Sequence, residues 1–440
     1  MKKLENRIPV VFTPDEKFVI PTCVAIASMM ESRREAYYFF YLVLDSSLKW
    51  AESYFSAIKD VYNEFEYKII WIEEATFKQG VIKTEHLSQS AFYRLFLPDL
   101  IKTENKIMYH DGDILVCDDL KKMYDVDLKD NYIGGIPSIY AAQEDEWSKA
   151  KIDKWGFAST EGYVFSGDLI INLQKLRTDN ITKIFSSEIM KGYPSEDQDI
   201  INKVCYGHIA LLPLRYCMLN RWTENDTLEL FTNPVYSYQE ICDAKNNPAI
   251  IHFAGADAKP WLNLRVSYGE LWWNTLKRIV GDEVYKRMRD IAQENTECRD
   301  WSYLWWKLQL CMNKAKEVVI YGAGKNGKEL LESLNNNGIS VSGFLDMNSE
   351  KCGTFVDGVE IFHVNTDSFS KRNTIVIVSV TNGFDEIKKY LIQKGYENEL
   401  ILRYYHKSNF YYQSIAAEYQ EYEQQDACLR CGKQIDQKVI

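Results

Sequence analysis

The 440-residue sequence predicts an α/β protein: a mixed, mainly parallel sheet, then a helical stretch, then a second and smaller βαβ module. Three observations predict it. Before Leu262, short apolar runs alternate with longer helical patterns, as strands joined by crossover helices do. Between Leu262 and Lys316 the pattern becomes wholly helical. At Val318 a fresh strand runs directly into a glycine-rich turn and a helix.

Ile8–Thr13 reads as a buried strand, and the small-residue run 18–31 as a helix whose Pro21 falls in the first turn, where no amide proton is needed. Tyr37–Leu44 is a second strand, 47–60 a helix and Tyr67–Ile72 a third strand. Strand-like runs return at 106–109, 132–137, 163–171 and 209–213. The helical stretch carries Trp272, Trp273, Trp301, Trp305 and Trp306 with a local excess of Lys and Arg. Such a pattern suits peripheral contact with a membrane surface or a bridge that buries its tryptophans between domains. Val318–Tyr321, Val341–Leu345 and Thr374–Val380 are the strands of the last module. The predicted division is 1–265, 266–316, 317–404 and a tyrosine- and glutamine-rich tail over 405–440.

Composition excludes several classes. With 46% hydrophobic and 14% aromatic residues the chain can bury a core, and a net charge of −11 argues against a nucleic-acid partner. No run is long and apolar enough to span a bilayer, and Met1–Arg7 lacks the apolar core of a secretory signal. Ten cysteines without framework spacing fit reduced thiols in a cytoplasm. Cys428 and Cys431 form a CxxC with no second ligand pair beside it.

The chemistry concentrates in two places. Lys106–His110 runs into Asp111-Gly112-Asp113, a pair of carboxylates at the carboxyl end of a buried strand, where open α/β sheets place ligands. Flanking a glycine, they can converge on one hard divalent cation, Mn²⁺ or Mg²⁺. Two other Asp-x-Asp triplets, 125–127 and 197–199, show how readily chance or a solvated face produces the pattern. Far downstream, Ala249–Phe253 contains His252, followed by Gly255 and Lys259. An imidazole completes a carboxylate site suited to manganese, the glycine allows close backbone approach, and the lysine suits phosphate.

With these residues in hand, the first 265 positions resemble glycosyltransferase family 8, the group that includes lipopolysaccharide galactosyl- and glucosyltransferases. Phe12-Thr13-Pro14-Asp15 with Phe18 resembles the opening nucleotide loop, and Phe92–Pro98 the helix bearing a donor-contacting arginine, Arg94. Ser166-Gly167-Asp168 begins the inner strand, and Asp197-Gln198-Asp199 falls where the family contacts the donor sugar. The resemblance implies a GT-A fold, a UDP-sugar donor, a saccharide or lipid-linked acceptor in surface polysaccharide synthesis, and retention of configuration. It implies Asp111, Asp113 and His252 as metal ligands. Thr13, Asp15 and Phe18 would meet the nucleoside. Gly255 and Lys259 would hold the diphosphate, Arg94, Gly167 and Asp197 the sugar, and Gln198 would lie near the reacting carbon. Two departures stand out: Phe165 occupies the place of the family's asparagine, and the spacing from His252 to Lys259 is one residue longer.

Gly322, Gly324 and Gly327 form a G-x-G-x-x-G between a strand and a helix, and Asp346 ends the next strand. This is the sequence context of a ribose-binding acid in a Rossmann-like module that takes a nucleotide. It keeps open an NAD-dependent sugar-nucleotide oxidoreductase as the alternative enzyme, beside an inactive transferase fold used as a binding subunit.

Overall fold

The computed structural model describes residues 7–73, 90–139, 146–223, 230, 235–255, 258–298, 301–312, 314–315, 317–380 and 383–404. The predicted tail, with Cys428 and Cys431, lies outside the described residues. The chain divides into two compact units, one formed by Met1–Pro260 and Val266–Lys286, the other by Trp261–Arg265 and residues from Arg287 onward.

The strands of the first unit are β1 (Arg7–Phe12), β2 (Tyr37–Asp45), β3 (Glu66–Ile72), β4 (Lys106–His110), β5 (Ile114–Val116), β6 (Ile133–Pro137), β7 (Val164–Asn172), β8 (Ile209–Leu211), β9 (Met218–Leu219) and β10 (Ile250–His252). Seven of them form one sheet in the order β3-β2-β1-β4-β7-β6-β8. The pairs from β3 through β4 are parallel, β7 runs antiparallel to both β4 and β6, and β6 is parallel to β8. The predicted mixed, mainly parallel sheet is the one observed. β1 and β2 are near-continuous apolar runs because the inner strands of such a sheet are covered on both faces.

Helix α1 (Val19–Ser32) has eleven buried residues because it packs against both β5 and α2 (Gly269–Ile279). Arg278 of α2 closes the contact with an ion pair to Glu31, Nε to Oε1 2.7 Å. Trp272 and Trp273 of α2 are fully buried, with ring centroids 5.0 Å apart and edge-to-face. These two indoles belong to the core, which corrects the expectation that they face a membrane. Trp305 is half-buried, and the side chains of Trp301 and Trp306 lie outside the description. Among the described residues no helix is long and apolar enough to cross a membrane.

A second, three-stranded sheet in the order β5-β10-β9 brings the distant sequence motifs together. β10 is antiparallel to β5 in a register that pairs His252 with Ile114, the residue after Asp113. Neither β5 nor β9 is visible in the sequence, because two or three apolar residues carry no period.

The second unit holds β11 (Glu317–Tyr321), β12 (Gly343–Asp346), β13 (Phe355–Val356), β14 (Val359–His363), β15 (Thr374–Val378) and β16 (Ile401–Arg403) in the order β13-β14-β12-β11-β15-β16. All pairs are parallel except β13 with β14. Strand order reverses on either side of β11, the arrangement of half a doubly wound nucleotide fold. Three of the six strands, β13, β14 and β16, escape the sequence pattern because they are short or half-exposed at the sheet edges.

Candidate active site

β4 ends in His110 and the chain turns through Asp111, Gly112 and Asp113 into β5. Gly112 is needed for close approach rather than for a left-handed turn: a Cβ there would lie 2.3 Å from Thr22 Oγ1 of α1. The turn, the β10 end and β7 meet, so that one ligand atom each from Asp111, Asp113 and His252 lie within 4.8 Å of one another. Atoms about 2.1 Å from a shared cation stand at most about 4.2 Å apart, so the three groups lie close to the spacing of one coordination sphere.

The surrounding charges favour a cation there. Asp113 is buried and its Oδ1 has no hydrogen-bond partner among the described residues, lying 3.4 Å from His252 Nε2. Its Oδ2 pairs with the Lys259 ammonium, which also donates to Phe253 O at 2.6 Å. Burial alone would raise the Asp113 pKa, yet Lys259 and His252 hold it well below the usual carboxylate range. Burial opposes the charged form of His252 too, and the carboxylates of Asp113 and Asp168 outweigh it. An unpartnered buried carboxylate oxygen facing an imidazole nitrogen fits a divalent ion, with Lys259 supplying positive charge in its place.

A second triad, Asp168, Cys217 and His252, has the same spacing. Burial, reinforced by Asp168, pushes the Cys217 thiol up to about 12, so its sulfur is a neutral, poor ligand. Asp111 and Asp113, by contrast, line an open cleft of about 770 Å³ that also receives Thr13, Asp15, Phe18, Arg94, Asp197 and Gln198. Eight of the residues singled out in the sequence therefore share one cavity. Gly167 approaches it from β7: a Cβ there would meet His252 Cε1 at 2.4 Å and Asp111 Oδ2 at 2.7 Å. Gly167→Ala is expected to displace two of the three acidic-site groups and weaken Mn²⁺ binding by about 100-fold with the secondary structure unchanged, as read by calorimetry and circular dichroism.

Arg94 is buried and fully employed. It donates Nη1 to Ser166 O (2.8 Å) and Nη2 to Asp111 Oδ1 (2.8 Å), and its Nε lies 3.2 Å from Asp197 Oδ2. Burial would lower its pKa, and Asp111 with Asp197 raise it. Desolvation keeps Asp197 raised despite that arginine. Glu196, before Asp197, has φ +48°, a left-handed residue at the start of α3 (Glu196–Val204) beside the cleft it lines. Gln198 accepts from Ser166 N (3.1 Å) and donates to Tyr163 OH (3.3 Å).

Asp199 takes no part in the cleft. It is fully buried and bound by Lys151 Nζ, by Tyr163 OH at 2.6 Å and by Ser195 N at 2.9 Å. Asp125 and Asp127 are exposed, Asp125 paired with Lys121. Asp15 caps the short turn that follows it, accepting from Lys17 N and Phe18 N, and Phe18 lies under the Lys259 ammonium at 5.5 Å. Gly255 is exposed at φ +100°, beside residues outside the description. Phe165 packs toward Trp222, ring centroids 6.0 Å apart.

Sequence reasoning missed Tyr109, whose hydroxyl bonds Thr13 (2.9 Å) and donates to Asp111 Oδ1 (3.1 Å). It also missed the link from His110 through Asp168 to His252. The available signal was an acid and a histidine inside otherwise apolar strands.

In the second unit, Gly322 takes φ +99° and a Cβ on Gly327 would lie 2.0 Å from Gly322 O, so the turn requires both glycines. Gly324 precedes the helix Lys325–Asn336. Asp346 accepts from Ala323 N (3.0 Å) and Asn348 N (2.9 Å) and lies 3.3 Å from Lys351 Nζ.

The model of glycosyl transferase family 8 matches residues 9–265, and a model described as C2185-like, N-terminal, matches 314–402. The chain is 30% identical over 218 residues to General stress protein A of Bacillus subtilis (strain 168), covering 43% of this chain and 70% of that one. It is 23% identical over 255 residues to lipopolysaccharide 1,2-glucosyltransferase of Escherichia coli, 56% of this chain and 71% of that one. Of another curated relative, glycosyltransferase GlyD of Streptococcus pneumoniae serotype 4, the match spans only 23%. Among solved structures, galactosyltransferase LgtC in complex with donor and acceptor sugar analogs superposes with a TM-score of 0.53 at 22% identity, covering 64% of this chain and 100% of that chain. With a GT-A sheet in its first unit and a family match over more than half its length, this chain belongs to glycosyl transferase family 8 and is a glycosyltransferase.

Proposed function

We propose that the cleft transfers a hexose from a UDP-sugar to a saccharide or lipid-linked acceptor with retention of configuration, residues 1–265 being catalytic and 317–404 accessory. The observation that carries this is the convergence of Asp111, Asp113 and His252 at the edge of the cavity that holds Asp15, Phe18, Arg94, Asp197 and Gln198. A divalent ion at the triad, Mn²⁺ or Mg²⁺, would neutralise the charge that develops on the departing diphosphate.

The chain's own residues do the rest. Phe18 offers a ring for the uracil, and Lys259 moves its ammonium from Asp113 to a phosphate oxygen when the donor binds. Arg94, anchored to Ser166 O, keeps the Asp111 and Asp197 carboxylates apart and correctly turned. Gln198 is clamped at both ends of its amide, presenting a neutral dipole beside the reacting sugar. A double displacement needs a carboxylate free to attack. Asp199 is withdrawn behind Lys151 and Tyr163, and Asp197 is engaged by Arg94. These contacts favour attack by the acceptor hydroxyl on the face the diphosphate leaves, with the proton passing to a phosphate oxygen.

We assign no redox step to the second unit. The Asp346 carboxylate accepts from the Ala323 and Asn348 amides.

A thermal-shift panel of UDP-hexoses with Mn²⁺ tests the reading. At 100 times its dissociation constant the true donor stabilises by about 2.7 kcal/mol, which is roughly 5–10 °C for a unit of this size. The shift is expected to vanish in Asp111→Ala. A shift that persists there, or appears with NAD and no UDP-sugar, contradicts it.

A further inference from the structure

Asp168 is fully buried in β7, between glycine and the apolar run Leu169–Ile171. An ionised carboxylate is kept in such a place only when its oxygens are hydrogen-bonded. Here both are taken by imidazoles. Oδ1 lies 2.6 Å from His110 Nδ1 and Oδ2 lies 2.7 Å from His252 Nδ1. His110 and Asp168 are direct cross-strand partners in the β4/β7 register, whereas His252 arrives from the other sheet.

A carboxylate only accepts hydrogen bonds, so each Nδ1 facing it carries the proton. In the neutral His252 ring this leaves the lone pair on Nε2, the nitrogen that looks toward Asp113 Oδ1. His110 shows the same consequence: its Nε2 is buried without a hydrogen-bond partner among the described residues, since the ring is turned to serve Asp168 with Nδ1. His110 immediately precedes Asp111 in the chain. The three residues therefore tie the strand that delivers one acidic ligand to the strand that delivers the imidazole. Gly167 leaves the space through which the His252 ring reaches Asp168.

We propose that Asp168, anchored by His110, is a positioning residue that fixes the ring plane and the Nε2-acceptor tautomer of His252, and so sets the divalent-cation affinity of the cleft. The proposal rests on the metal reading above. A hydrogen-bonded partner of this kind behind a metal-binding histidine raises affinity by about 10–100-fold. Asn at 168 keeps the shape but presents one oxygen and one NH₂, so it can accept from only one of the two imidazoles. The other ring must turn or move its proton to Nε2.

The experiment is a Mn²⁺ titration of the full chain followed by electron paramagnetic resonance, without any sugar transfer being measured. One ion per chain is expected, bound about 10–100-fold more weakly by Asp168→Asn. As a readout that does not depend on the folding of the variant, the unaltered chain is also labelled with ¹⁵N-histidine and saturated with Mg²⁺ and UDP. Nitrogen shifts are expected to show His110 and His252 both protonated at Nδ1, with His252 losing that state in the variant. Equal Mn²⁺ affinity in Asp168→Asn, or a proton on His252 Nε2 in the loaded unaltered chain, overturns the proposal alone. Two ions per chain would make Asp168 and Cys217 ligands of a second site and overturn it as well. No Mn²⁺ binding by the unaltered chain overturns both this proposal and the metal reading.

Discussion

Asp113→Ala is expected to lower the kcat/KM of Mn²⁺-dependent UDP-sugar turnover by about 10³-fold or more, equivalent to at least about 4 kcal/mol of transition-state stabilisation. The side chain joins three groups at once: Oδ2 holds Lys259, Oδ1 faces His252, and its burial excludes water from both. Removing it leaves His252 and Asp111 too few to hold a cation against solvent and lets the Lys259 ammonium drift from its place beside Phe18. UDP release from a donor sugar, titrated with Mn²⁺, reads the loss, and an unchanged melting temperature shows that the sheet survives. Turnover within tenfold of the unaltered chain, or turnover that ignores Mn²⁺, is incompatible with the proposed role.

The second large effect concerns stability. Asp199→Ala is expected to destabilise the first unit by about 3–5 kcal/mol, a fall of roughly 6–20 °C in melting temperature. The carboxylate is fully buried and has three partners, Lys151, Tyr163 and the Ser195 amide. Truncation takes from the buried Lys151 ammonium its counter-charge and from the Tyr163 hydroxyl its carboxylate acceptor. Asp197→Ala, two residues away, removes a cleft-lining group that Arg94 already shares with Asp111. It is expected to cost turnover much more than stability, so the pair separates a scaffolding acid from a cleft acid within one triplet. Chemical denaturation of both variants measures the difference.

The contrast between these two aspartates shows where the sequence was informative. The fold was legible because β1, β2, β4 and β7 are long apolar runs with helices between them, and the glycine-rich turn of the second unit follows a strand in the expected way. Four of the strands that went unseen are two or three residues long, too short for a period to register, and the fifth, β14, is half-exposed along most of its length. One of them, β5, is what makes His252 the neighbour of Asp113. Register between distant segments is a tertiary property with no local trace, so the family resemblance gave the candidate ligands and the structure gave their meeting.

The site residues divide the same way. Asp111, Asp113, Arg94, Asp197 and Gln198 fall together as the pattern suggested. Asp199, which the resemblance grouped with the donor-sugar contacts, is held in the scaffold by Lys151, Tyr163 and Ser195, and the approach of Lys151 from 48 positions away is announced by no pattern. Tyr109, His110 and Asp168 lie within the very strands that were identified, yet a strand pattern records polarity and not partners. An acid in an apolar strand needs hydrogen-bonding company by the ordinary rule for buried polar groups. That rule points to Asp168, but only coordinates say that the company is two histidines.

The most direct measurement is the anomalous difference density of a crystal soaked with Mn²⁺ and UDP. A single peak about 2.0–2.3 Å from one carboxylate oxygen each of Asp111 and Asp113 and from His252 Nε2, with diphosphate oxygens completing the sphere, is the expected result. A manganese peak elsewhere, or UDP seated in the cleft with no ion between those three side chains, would contradict it.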